Sequence, residues 1–269
     1  MDSLRRIAAI AANTYRESVR DKILYNIVFL AIGLSVFSVV LGAWSVFDRA
    51  LVIKSTTISL MSLSGLLIAV FVGISLIQKE IQRRTVFTLL SKPMRRPEFL
   101  LGKYLGLLAL MATHLILLTG VFYFILWVTG SGPELGLLRA VYLVFWELAI
   151  LVAVAMLFSS FSTPVLSSLF TLGIYVAGHL TDQLLAQVRF VQNLAEGGIG
   201  QQHAALMETA ALWAQRLLPE LYRYNISHQV VHHLTLSPGY MLFSTLYAIG
   251  YIVILLGIAA WWFDRRDFL

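Results

Sequence analysis

The chain has 269 residues, 59% of them hydrophobic and 13% charged, with a mean hydropathy of +0.81. A soluble domain is about 45–50% apolar and about 25% charged, so lipid is the solvent for much of this chain. The absence of cysteine excludes a disulfide framework and a thiolate metal site, and a net charge of +6 confined to short connections speaks against a nucleic-acid partner.

At the N-terminus, Leu4, Ala8, Ala11, Tyr15 and Val19 recur at helical spacing, with Arg5, Arg16 and Arg20 on another face. Residues 1–22 therefore read as an amphipathic helix lying in the membrane interface. Six apolar runs follow, at 23–47, 57–77, 104–128, 140–158, 164–180 and 240–263. A bilayer-crossing helix needs roughly 20 residues; the fifth run is short and rich in Ser, Thr and Gly. The first is too long for a signal-peptide core and lacks a small-residue cleavage site, so it is expected in the mature protein. Six spans put both termini on one side. Fourteen of the twenty Lys/Arg fall on that side, in the N-terminal segment, the 78–103 connector and the C-terminus. The positive-inside rule makes it the cytoplasmic side.

The connector between spans two and three, 78–103, is the most basic stretch, with seven Lys/Arg. The second span continues as helix through Arg83 and Arg84. Val86, Leu89 and Leu90 then form an apolar patch at i, i+3, i+4. Pro93 pushes Lys92 out of the helical region and stops the helix. Pro97 suits the first position of the next helix, with Glu98 in its first turn, and Gly102 and Gly106 permit close packing as the third span enters the membrane. The outcome is a short coupling helix with an apolar face, and exposed leucines beside arginines call for a partner.

Two ionisable residues sit inside spans. His114 lies ten residues into the third span and Glu147 eleven residues from the cytoplasmic end of the fourth. Both are therefore about 15 Å deep at about 1.5 Å per residue. Charge at that depth is costly. The two either pair or share a polar cavity, or a protonated Glu147 bonds to a Ser or a backbone carbonyl while His114 is satisfied separately.

Residues 181–237 read as an external lobe of helices. Helical spacing is found at Leu184, Val188, Val191 and Ala195, and again from Ala205 to Leu217, with a third short helix from Glu220 to His233. His228, His232 and His233 place two imidazoles on one face, but no carboxylate or thiol lies near them in sequence, so no metal site is expected. Asn225-Ile226-Ser227 is a glycosylation triplet, which would mean nothing in a bacterial protein. The expected fold is one all-α integral membrane domain, 1–269: six transmembrane helices, an N-terminal interfacial helix, a cytoplasmic coupling helix and external helices before the last span.

The arrangement of Glu80, Thr85, Leu89, Leu90, Pro93, Arg95, Arg96, Gly102 and Lys103 around the connector resembles the type-2 ABC export permease family. The likeness extends to the six spans, the external helices and the Phe-Asp-Arg-Arg-Asp-Phe end, nearly the whole chain. Many members have a glycine before the Thr, where this chain has Arg84. The resemblance implies a bacterial inner-membrane permease that forms a dimer, with itself or a close paralogue, each subunit docked on a separate ABC-type ATPase, two copies in all. The apolar patch with its rim, taken together with the resemblance, gives Glu80, Arg83, Arg84, Thr85, Val86, Leu89, Leu90 and Pro93 as the expected docking residues. No GxxxxGK[ST] phosphate loop is present, so ATP and Mg²⁺ are expected on the ATPase, with no cofactor and no catalysis in this chain. Membrane lipids, and a periplasmic partner at the external lobe, complete the expected contacts. The rival readings are a non-transporting assembly or signalling scaffold and an intramembrane enzyme. For the latter, Glu147, His114, His179 and Asp182 are too scattered in sequence.

Overall fold

The computed structural model describes residues 3–44, 49–76, 78, 96–130, 135–194, 218–225 and 237–265. Within them there is helix and no strand: α1 Ser3–Val19, α2 Lys22–Trp44, α3 Arg49–Ile68, α4 Arg96–Val128, α5 Leu135–Phe161, α6 Pro164–Leu194, a 3-10 turn Leu221–Tyr224 and α7 Pro238–Arg265. Helix α3 passes through a π turn, Ala69–Gly73, and runs on to Leu76. All-helical architecture is what hydrocarbon demands, because each backbone polar group finds its partner within the segment. Five helices are long and apolar enough to cross a membrane, Lys22–Trp44, Arg49–Leu76, Pro97–Val128, Gly136–Phe161 and Pro238–Trp262.

The structure departs from the sequence reading at several boundaries. The second span begins eight residues early, at Arg49, because Lys54 is accommodated as a buried residue instead of ending the helix. The run 164–180 is the apolar part of a longer helix, α6, which continues unbroken to Leu194. No Gly or Pro interrupts the sequence from His179 to Leu194, so nothing separates the apolar run from the helix expected after it. The expected helix from Glu220 to His233 is, over its described part, a single 3-10 turn ending at Asn225.

The core centres on α5. Every residue from 147 to 156 is buried, and α5 touches α3, α4, α6 and α7. A helix apolar all round belongs in such a position. By contrast α2 and α7 turn Phe29, Leu30, Phe37, Phe243, Leu246, Val253 and Ile254 outward, as lipid-facing helices do. Lipid is as apolar as leucine, so close fit must hold the helices together. Gly65 shows it: a Cβ there would run into the Leu148 side chain, so the glycine brings α3 hard against α5.

Helix α1 is formed where an amphipathic helix was expected, and it packs on α4. It runs alongside α4 in the same direction, with Arg6 against Glu98, Ile10 against Gly102 and Thr14 against Gly106, always 92 positions apart. The stripe expected to face lipid is divided. Leu4 and Ala8 stay exposed, while Tyr15 and Val19 pack on the core and Ala11 meets Gly106. A glycine surface accepts small or β-branched side chains, and Ile10, Ala11 and Thr14 supply them.

Candidate functional site

Residues 79–95, which hold Glu80, Arg83, Arg84, Thr85, Val86, Leu89, Leu90 and Pro93, lie outside the described residues. Both roots of the connector are described. At the first, Gln78 is buried and its Nε2 donates to two carbonyls at the end of α5, Ser162 O at 2.7 Å and Ser159 O at 3.2 Å. The last carbonyls of a helix have no partner within it, so Gln78 caps α5 and ties the connector to the α5–α6 corner. At the second root, Arg6 Nη2 donates to Glu98 Oε1 at 3.1 Å, and Arg6 Nε stands 3.1 Å from Oε2. Glu98 also sits in the first turn of α4, where a carboxylate is favoured by the helix dipole. One turn further, buried Lys103 lies 4.0 Å from Glu17 and 5.7 Å from the Phe99 ring. Between these contacts runs the glycine seam. A Cβ on Gly102 would stand 2.7 Å from Ile10 Cβ, and one on Gly106 would stand 2.7 Å from Ala11 O. Helix α1 and the entry of α4 thus form one body.

The intramembrane residues are placed at a common level but on different sides of α3. His114 on α4 shares a 2.9 Å hydrogen bond between its Nε2 and Ser64 Oγ. Glu147 on α5 accepts from Ser62 Oγ at 2.6 Å. Ser62 and Ser64 are two residues apart, so about 200° of turn separates them on a 3.6-residue helix. Each therefore reaches a different neighbour, and His114 and Glu147 do not meet. Of the sequence alternatives, separate bonding to hydroxyls matches this geometry, with His114 Nδ1 and Glu147 Oε2 left without a hydrogen-bond partner among the described residues. The partner of Glu147 is instead His179 on α6, whose Nε2 stands 3.5 Å from Glu147 Oε1. Tyr175 completes the group, its hydroxyl 3.2 Å from Ser62 Oγ. In the sequence His179 lies far from Glu147 and close to Asp182. The available signal was its position, 15 residues after Pro164, which matches the depth of Glu147 on the neighbouring antiparallel helix.

At the end of the bundle far from the connector, residues 218–225 tuck against α6 and α7. Leu221 and Tyr224 are fully buried. Gly178 makes room, since a Cβ there would fall 2.9 Å from both Leu221 Cγ and Pro219 O. The Tyr224 hydroxyl donates to Ser244 O at 2.8 Å, Tyr240 donates to Arg223 O at 2.6 Å, and the Glu220 N–H donates to Tyr247 Oη at 3.2 Å. Arg223 pairs with Glu220 and lies over the Tyr247 ring. Burial pushes the Tyr224 phenol well above its ordinary pKa. His228, His232 and His233 lie outside the described residues, and no group of three metal-ligating side chains occurs among the described ones.

Five helices long and apolar enough to cross a membrane make this a multi-pass membrane protein. The chain belongs to the ABC-2 family of transporter proteins, whose family model matches residues 34–268. It is a membrane permease subunit of an ABC transporter. No curated protein matches the chain. Helix α1 and the start of α2 precede the matched region.

Proposed function

We propose that this permease works as an exporter, two copies or one copy and a close paralogue, driven by two ABC-type ATPase subunits docked on residues 78–103 at the cytoplasmic face. ATP and Mg²⁺ bind on those subunits, and this chain converts their movement into helix movement. The observation that carries the reading is the fastening of both connector roots. Gln78 ties one to the α5–α6 corner, and Glu98 with the glycine seam ties the other to α1. A push on the connector therefore reaches α1, α4, α5 and α6 together. In the connector, Val86, Leu89 and Leu90 supply the buried anchors, and Arg83, Arg84 and Glu80 form the rim. Apolar anchors carry most of the binding energy at an interface and rim charges carry little.

The test is co-purification with the ATPase and the ATP hydrolysis rate at matched expression. Leu89→Asp and Leu90→Asp release the ATPase or leave it bound and uncoupled, while Arg83→Ala has a much smaller effect. Normal complex yield and normal ATP-dependent activity in both Leu→Asp variants would remove 78–103 as the docking element.

A further inference from the structure

The cluster of Ser62, Glu147, Tyr175 and His179 constrains its own protons. His179 Nδ1 lies 3.0 Å from Tyr175 O. A carbonyl only accepts, so Nδ1 carries a hydrogen. In a neutral imidazole Nε2 then presents a lone pair, and Nε2 is the atom facing Glu147 Oε1 at 3.5 Å. An ionised Glu147 beside neutral His179 would set a carboxylate against that lone pair at a site 1% exposed.

Donors for a carboxylate are also scarce. The Ser62 hydroxyl supplies one, and Glu147 Oε2 has none among the described residues. No Lys or Arg pairs with Glu147 there. A buried carboxylate with one donor is poorly compensated. A carboxylic acid needs only an acceptor for its hydrogen, and His179 Nε2 stands beside the same oxygen. The ion-pair form, carboxylate with imidazolium, would place two charges in hydrocarbon and leave Oε2 bare. The other titratable groups around the cluster are neutral when unperturbed or turned away from it. They are Tyr175 on α6, Tyr224 in the 3-10 turn, Tyr104 of α4, which donates to Ala149 O, and His114 of α4, bonded to Ser64 on another side of α3.

We propose that Glu147 is a proton-binding site within the membrane. It holds one proton as a neutral acid while α6 is packed on α5. When that contact opens to water, the O–H bond breaks, the electron pair stays on the carboxylate and the proton passes to water. His179 is a positioning residue, fixed by Tyr175 O so that its lone pair faces the acid. Separation of α5 from α6 is thereby linked to proton release. This goes beyond the transport reading and does not depend on which ATPase drives the chain.

Infrared spectroscopy of the full chain in lipid nanodiscs at neutral pH tests the site directly. The carbonyl stretch of an un-ionised carboxylic acid is expected in the wild type and lost in Glu147→Gln. Absence of the band, or its persistence in Glu147→Gln, overturns the proposal. Ser62→Ala keeps the acid but removes its hydrogen bond, so the band should shift; an unshifted band means that the acid is not Glu147. This arm stands even if Glu147→Gln fails to accumulate. Thermal unfolding gives a second readout. The packed state binds a proton that the opened state releases, so stability must fall as pH rises. The melting temperature of the wild type should drop from mildly acidic to mildly alkaline pH more steeply than that of Glu147→Gln. Equal slopes overturn the linkage.

Discussion

At the connector end of the bundle α1 lies on α4 backbone to backbone, whereas at the far end residues 218–225 hang on α7 by hydroxyl groups. Both attachments use glycine to make room, at Gly102 and Gly106 for one and at Gly178 for the other. They differ in what fills the room. The seam presents Ile10 Cβ and Ala11 O, atoms that cannot move unless the whole helix moves. The far turn presents Leu221 and Pro219 O from a segment of one 3-10 turn, held by Tyr240, Ser244 and Tyr247 at i, i+4, i+7 of one α7 face. A seam of helix backbone transmits displacement. The far turn adds three hydrogen bonds to the burial of Leu221 and Tyr224, and each of those bonds can be removed singly. Backbone contact is thus concentrated where the connector is rooted, while side-chain hydrogen bonds beside the buried Leu221 and Tyr224 hold the opposite end.

The contrast breaks most directly at the seam. Gly106→Leu drives a side chain into Ala11 O and Thr14, with Cβ alone 2.7 and 2.6 Å away. Overpacking of a close contact costs about 1–3 kcal/mol, and here the strain is relieved only by lifting α1 away. The expected result is a lower melting temperature in detergent and protease cleavage between α1 and α2, near Arg20. Wild-type melting and protection in Gly106→Leu would show that α1 is not seated on α4.

The far turn should respond more gently. Tyr224→Phe removes the hydroxyl that donates to Ser244 O and keeps the ring in its buried site. A buried hydrogen bond contributes about 0.5–1.5 kcal/mol, so a modest loss of stability is expected, with α1 still protected from protease. The phenol is pushed up by burial, so it keeps its proton, and the bond, through the neutral range. Sign follows from that shift: the contribution is present at neutral pH and is lost only when strong alkali ionises the ring. A loss of stability in Tyr224→Phe equal to that of Gly106→Leu would erase the distinction between the two ends.

Sequence pattern carried depth well and azimuth poorly. Counting residues along two predicted spans put His114 and Glu147 at one level, and the structure hangs them on Ser64 and Ser62, two residues apart on α3. Which side of α3 each occupies depends on the rotation of three helices at once, and an apolar span with little amphipathic contrast gives no handle on rotation. The same limit explains α1. Its helical spacing was legible, but its packed face is set by Gly102 and Gly106, which lie in a distant part of the chain. Charges misled at boundaries, since Lys54 fits inside α3 and polar 181–183 continue α6. The roles of Gln78 and His179 were hidden because each is a lone polar residue whose partners, Ser159 and Ser162 for one and Glu147 for the other, lie on other helices.

The smallest effect expected, and the finest probe of the seam, is the Arg6–Glu98 pair. Its side chains are 27% and 12% exposed, so water reaches the guanidinium and screens the pair. A partly exposed ion pair is worth about 0.2–1 kcal/mol, well below the cost of disturbing Gly106. A double-mutant cycle of Arg6→Ala and Glu98→Ala on melting stability should return a coupling in that range, shrinking as salt is raised. Glu98→Ala alone should cost slightly more than Arg6→Ala alone, because Glu98 also complements the first turn of α4. A coupling of several kcal/mol, insensitive to salt, would mean that charge and not the glycine contact seats α1. A coupling of zero with the seam intact would leave packing as the sole fastening at this root of the connector.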